Sequence, residues 1–133
     1  MNRTDFIKNI FGVGLFGFLV PFSGQKTQQK DTEVDIYESY VRGLVYTKGR
    51  HYVSKMKPGD PLLMKREPDN PYDRSAIALY YDNIKIGYVP AEDNYFLSNM
   101  LDAGHGRFYA CIKEVSPGKP HWEQVLFCIK SMG

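Results

Sequence analysis

At 133 residues and 43% hydrophobic content, the chain holds one modest core and leaves no room for a second globular domain. A formal net charge of +2 with a pI near 8.5 neither advertises nor excludes a nucleic-acid partner, because local grouping of charge matters more than its sum. Ten Tyr and eight Phe beside a single Trp supply many rings, for packing in a small barrel or for stacking on bases.

The first 24 residues read as a signal-like or membrane-tether segment. Arg3 and Lys8 precede an apolar run from Ile10 to Phe22 (IFGVGLFGFLVPF), and a polar exit follows. The run is shorter than the ~20 residues that a spanning helix requires. NRTDFIK resembles the twin-arginine export pattern with Thr4 where the second arginine belongs, and Phe22-Ser23-Gly24 is a poor small-x-small cleavage site. Export, membrane association through residues 1–22, an interfacial arm and a simple tail stay open here. Localisation follows that choice: exported or tethered if the segment acts as a signal, cytoplasmic otherwise. Residues 25–37 are expected to be a flexible linker, with the folded domain over 38–130.

From Glu38 the pattern is that of strands. Glu38 to Thr47 (ESYVRGLVYT) is β-branched and aromatic around Gly43, and predicts a first strand with a bulge or sharp coil at the glycine. Lys57-Pro58-Gly59-Asp60-Pro61 is a turn, and Leu62 to Lys65 leaves it as a second short strand. AIALYY and IKIGYV flank Asp82-Asn83, a two-residue hairpin signal. That turn predicts Tyr81 opposite Ile84, Leu79 opposite Ile86 and Ile77 opposite Tyr88, all six on one core face. Pro90 to Asp102 changes period: Phe96, Leu97, Met100 and Leu101 recur at helical spacing, and Gly104 stops the helix. Arg107–Val115 and Trp122–Lys130 are two further strands that close the chain as a hairpin around SPGKPH. The expected fold is mainly β with one or two helices, a small OB/SH3-like β-barrel.

The residues of classical catalysis are absent in pattern. His51, His105, His121, Cys111 and Cys128 form no CxxC, HxxxH or other metal-ligand spacing, so no zinc or other cofactor is expected. Ser75 and Ser98 lie in no GxSxG context, and GVGLFG at 12–17 lacks the strand and helix of a dinucleotide loop. An acid pair or Mg²⁺ site from Glu67, Asp69 and Asp73 is a weaker reading. Cys111 and Cys128 fall on the two strands of the closing hairpin, where they form a disulfide if the domain is exported and buried thiols otherwise.

The main constellation is REPDNPYDRSAI, residues 66–77, a crowd of polar and turn-forming groups between two apolar runs. A strand connection needs only about two to five residues, so the extra length has a purpose of its own. Tyr72, placed after the fixed φ of Pro71, presents a ring at a rigid loop, and Asp73 is an acceptor for a sugar hydroxyl. A carboxylate beside phosphates needs an offsetting cation, for which Arg66, Arg74 and Lys65 are at hand. The alternative is that Asn70 and Asp73 close Asx turns, Tyr72 packs over the barrel, and Arg66 pairs with Glu67 or Asp73.

REPDNPYDRSAIAL followed by KIGYVP resembles the signature of the HIRAN domain family: an apolar run, REP, NPYD, AI and then IGY or GH. VRGLVY at 41–46 is similar to the family's first strand, MKPGDPLLMKREP to its second, and the helix after GYVP to its covering helix. The resemblance spans residues 38 to about 130. It implies a modified OB-like barrel that binds single-stranded DNA and captures a free 3′ end, in a family often fused to helicases, nucleases or zinc modules. Carried over on the motif, Asn70, Tyr72 and Asp73 match the end-binding loop, Tyr46 the first-strand aromatic, and Tyr88 a position held by histidine in some members. Two departures remove basic residues: Val45 beside the aromatic, and Pro90 and Ala91 after the GH position. The resemblance thus implies a non-catalytic DNA-binding module with Tyr46, Arg66, Asn70, Tyr72, Asp73 and Tyr88 at its interface, an adaptor in DNA repair or processing alongside a helicase or nuclease. Two other expectations stand beside it: an exported or tethered β domain binding a peptide or other ligand, and an accessory subunit of a DNA-acting hydrolase.

Overall fold

The computed structural model describes residues 33–104 and 107–132. Six antiparallel strands run in the order β1-β6-β5-β2-β3-β4, where β1 is Glu33–Tyr40, β2 Pro61–Arg66, β3 Ile77–Tyr81, β4 Ile84–Tyr88, β5 Phe108–Val115 and β6 Val125–Met132. Among the described residues one α-helix, α1, spans Asn94–Ala103. β2 joins the two halves of the sheet: Pro61 and Leu62 pair with β5, and Leu63–Arg66 pair with β3. The mainly β architecture with one helix agrees with the expectation. Strand pairing, however, does not run continuously around a barrel. The outer strands β1 and β4 are linked only just beyond β1, where Arg42 N–H donates to Tyr88 O (2.9 Å) and Tyr88 N–H to Arg42 O (2.8 Å).

The first strand lies earlier than its composition suggests. β1 begins at Glu33 and ends at Tyr40, so residues 33–37 are strand rather than linker, and the compact unit begins at Glu33. Gly43 then takes a left-handed φ of 80° and turns the chain into three successive 3-10 turns, Leu44–Tyr46, Lys48–His51 and Val53–Lys55. Strand propensity over 44–47 loses to tertiary burial, because this turn drives Leu44 and then Val53 into the core. The signal-like segment, residues 1–24, and the first part of the linker lie outside the described residues. Among the described residues no helix is long and apolar enough to cross a membrane.

The β3–β4 hairpin turns at Asp82 and Asn83 with φ of 50° and 70°, the paired positive values of a type I′ turn. Tyr81 pairs with Ile84 as expected, but the register then slips: Tyr80 faces Lys85, Leu79 faces Gly87, and Ala78 faces Tyr88. Ile86 is the extra residue of a bulge, so the expected pairs Leu79–Ile86 and Ile77–Tyr88 do not form. The bulge has a tertiary cause. Gly87 has φ of 152°, and a Cβ there would collide with the Arg42 carbonyl oxygen and Val41 Cγ1, so the crossing chain demands glycine at this point. The core survives the slip, with Ile77, Leu79 and Ile86 fully buried beside Leu44, Ile112 and Phe127.

A 3-10 turn, Ala91–Asp93, leads into α1. The helix buries Asn94, Leu97 and Ser98 and half-buries Met100 and Leu101, with Leu101 packed on the core; of the expected face only Phe96 departs, standing 68% exposed. The final hairpin forms, but Trp122 is outside the strand, in a 3-10 turn over His121–Glu123. Cys111 and Cys128 are cross-strand partners and remain free thiols, buried, with their sulfurs 3.5 Å apart.

Candidate nucleic-acid interface

The long loop between β2 and β3 is braced by its own backbone. Glu67 N–H donates to Ala76 O (3.0 Å), Asn70 N–H to Glu67 O (3.0 Å), and Ala76 N–H to Asp73 O (3.1 Å). Asn70 Oδ1 accepts from the N–H of Tyr72 (2.8 Å) and of Asp73 (3.1 Å), and Asp73 Oδ1 accepts from Ser75 N–H (2.9 Å), so both residues close Asx turns. Asp73 Oδ2 accepts from Asn94 Nδ2 (2.8 Å), which ties the loop to the start of α1. Arg66 ties the same loop to the other end of the helix. Its guanidinium donates to both carboxylate oxygens of Asp102 (2.9 and 3.1 Å) and to the carbonyls of Ala76 and Arg74. The Tyr72 ring, held outward by this bracing, is 94% exposed.

Between the loop, the Arg42 crossing and the helix start lies a cavity of about 360 Å³, lined by Arg42, Asn70, Tyr72, Asp73, Tyr88 and Asn94 among others. That volume is within the ~300–1,000 Å³ common for small-ligand sites, with aromatic and polar groups converging on it. One wall is held by a polar network. Glu67 Oε1 accepts from Tyr88 Oη (2.8 Å) and Asn70 Nδ2 (3.0 Å), Glu67 Oε2 pairs with Lys85 Nζ (2.7 Å), and Lys85 also donates to Tyr88 Oη (2.8 Å). Burial alone would push the Glu67 carboxyl up, but the hydrogen bonds from Lys85, Asn70 and Tyr88 outweigh it and hold the carboxyl below its ordinary value. Burial likewise opposes the Lys85 ammonium, and Glu67 and Tyr88 more than offset it, raising its pKa.

The structure thus brings together four of the six residues singled out in the sequence, Asn70, Tyr72, Asp73 and Tyr88, around one cavity. Arg66 is a loop clamp that does not line it. Tyr46 is 88% exposed on the Leu44–Tyr46 turn, outside the cavity lining. Beside that turn packs the turn that carries Trp122, whose ring is 55% exposed. Two polar residues that line the cavity escaped the sequence reading, Arg42 and Asn94. Arg42 stood within a stretch read as plain strand, and Asn94 on a helix read only for its apolar positions. Among the described residues no group of three metal-ligating side chains gathers, and Glu67 and Asp73 are each committed to hydrogen bonds that brace the loop.

The six-stranded sheet and its one helix thus carry a polar, aromatic-walled cavity beside the β2–β3 loop. Residues 34–130 match the HIRAN domain family, and the chain belongs to it. HIRAN domains are known generally as nucleic-acid-binding modules. Among solved structures, the chain resembles a Lactobacillus plantarum protein, with a TM-score of 0.65 at 22% identity over 77% of this chain and 98% of that one. It also resembles the HIRAN domain of human HLTF, with a TM-score of 0.55 at 18% identity over 72% of this chain and 73% of that one. At such identities the likeness is one of fold. No curated protein sequence matches the chain.

Proposed function

We propose that this domain binds single-stranded DNA and receives its free 3′ end in the cavity beside Tyr72. The observation that carries this reading is the pairing of a nearly fully exposed ring with a braced polar pocket built from the residues of the NPYD motif. A ring left in water contributes little to the fold, whereas a base stacked on it contributes ~1–3 kcal/mol to binding. In this reading the terminal base lies on Tyr72, the terminal hydroxyl donates to Asp73, and Asn94 holds that carboxylate in place. The closing of Asx turns by Asn70 and Asp73 does not compete with this role. Each carboxylate oxygen of Asp73 spends one lone pair on the fold and keeps another for a ligand. The module acts without catalysis of its own, as an adaptor that brings a strand terminus to a DNA-processing partner such as a helicase or nuclease.

The test is a fluorescence anisotropy titration of the full chain with a short 5′-labelled single strand. Affinity falls with salt at a log-log slope of about −0.7 per phosphate neutralised. A 3′-phosphate sets two negative groups close together and deletes the donated hydrogen bond, so it weakens binding tenfold or more. Asp73→Asn narrows that gap, because the amide no longer repels the phosphate. Equal affinity for 3′-hydroxyl and 3′-phosphate ends in the parent overturns the end-pocket reading.

A further inference from the structure

The cavity holds one basic side chain among its described lining residues, Arg42, and that side chain is already engaged. Its backbone is fixed by the two hydrogen bonds to Tyr88 that join β4 to the chain beyond β1, so the side chain leaves the cavity wall from a rigid base. The guanidinium forks onto Glu92 of the Ala91–Asp93 turn, with Nη1 to Oε1 at 3.3 Å and Nη2 to Oε2 at 2.5 Å. Both side chains are more than half exposed, at 52% and 58%, so water solvates the pair and it contributes little to the fold. A phosphodiester presents the same two-oxygen edge to an arginine fork and is an equally good bidentate partner. The Nη1–Nη2 edge cannot hold both at once.

We propose, resting on the end-binding reading above, that Arg42 is the phosphate-binding cation of this pocket and that Glu92 is the carboxylate an incoming strand displaces. The Arg42–Glu92 pair is then a self-competing latch. It keeps the cation placed and partly neutralised in the free protein, and it sets affinity by what must be given up when a phosphate arrives. Asp73, which lines the same cavity, repels a phosphate and accepts a hydroxyl, so the pocket orients its ligand with the backbone toward Arg42 and the terminus toward Asp73.

A double-mutant cycle on the full chain tests this, with the same labelled strand and a matched pair of 3′-hydroxyl and 3′-phosphate ends. Glu92→Gln frees the fork and tightens binding about threefold or more. Arg42→Gln weakens binding about tenfold and makes the salt slope shallower by about 0.7, the loss of one phosphate contact. Arg42→Lys restores most of the slope, and Glu92→Gln adds nothing in the Arg42→Gln background. Because the bridge to Tyr88 is made by backbone atoms, all variants keep the parent's melting profile. A gain from Glu92→Gln that persists without Arg42 means that Glu92 repels DNA on its own, and overturns the latch; so does an unchanged slope in Arg42→Gln. End preference without this coupling overturns the present inference alone, and coupling without end preference overturns the end-pocket reading alone. No binding by the parent or by Glu92→Gln overturns both.

Discussion

Glu67 is the residue on which the shape of the cavity wall depends, and its removal gives a sharp measure of that dependence. Glu67→Ala deletes the acceptor of Tyr88 Oη, of Asn70 Nδ2 and of the Lys85 ammonium. Hydrogen bonds to a charged group contribute about 1.5–3 kcal/mol each where both ends are buried. Here Lys85 is 34% exposed and regains water, so its share falls to the ~0–1 kcal/mol of a surface pair. Tyr88 Oη also keeps Lys85 as a partner. The net loss is about 2–3 kcal/mol, which for a domain of this size lowers Tm by about 10–20 °C. Glu67→Gln keeps an acceptor for Tyr88 and Asn70 and recovers about half. The pH dependence has a definite sign. The folded carboxyl lies below its ordinary 4.5, so the advantage of Glu over Gln is complete above that value and is lost as pH falls through the lower folded value. Circular dichroism melts of the parent and both variants at pH 7 and pH 3 measure this. A Tm drop under about 3 °C for Glu67→Ala, or a parent-minus-Gln difference unchanged at pH 3, refutes the network as described.

Three other outcomes follow from the geometry. Leu79→Asp places an unpaired charge at a fully buried position of the β3 face and costs several kcal/mol of a total near 5–15, so the variant shows no cooperative melt; a melt like the parent's counts against the assigned face. Gly87→Ala forces a Cβ against the Arg42 carbonyl and Val41, lowering the urea midpoint by the equivalent of about 2 kcal/mol and weakening strand binding through the displaced bridge; an unchanged midpoint contradicts the crossing. Burial, with the neighbouring Cys111 thiol, pushes the Cys128 thiol up to about 11, so iodoacetamide at pH 8 alkylates the native protein at least tenfold more slowly than the urea-unfolded chain, as followed by mass spectrometry; equal rates mean the pair is not sheltered.

What could be read in advance was what local chemistry decides. Asp82-Asn83 tolerates positive φ at both residues, so its hairpin was legible from two letters. The slip at Ile86–Gly87 was not, because it answers to Arg42, which crosses from about 45 residues upstream and leaves no periodic trace. ESYVRGLVYT reads as one strand by propensity, and the left-handed Gly43 breaks it to bury Leu44. On α1 the apolar spacing singled out Phe96, yet the buried face is chosen by Asn94, Leu97 and Ser98. Asn94 faces inward because Asp73 accepts its amide, a pairing between a loop and a helix that no reading of apolar period reveals.

The same logic explains why REPDNPYDRSAI is long. Turn closure and recognition are not mutually exclusive uses of its residues. In the folded loop they divide by atom. The Asn70 side-chain oxygen and one lone pair on each Asp73 oxygen serve turns and the helix start, and Arg66 spends its whole fork on the loop carbonyls and Asp102. Those bonds make the loop stiff, and stiffness is what allows Tyr72 to stay outward with no packing partner of its own. A shorter connection would close the β2–β3 hairpin with fewer polar atoms, but it would leave neither the cavity wall nor a fixed ring beside it. The added residues therefore stabilise a conformation in which Asn70, Tyr72 and Asp73 line the cavity, and preorganisation of that kind lowers the ordering entropy a ligand must offset on binding.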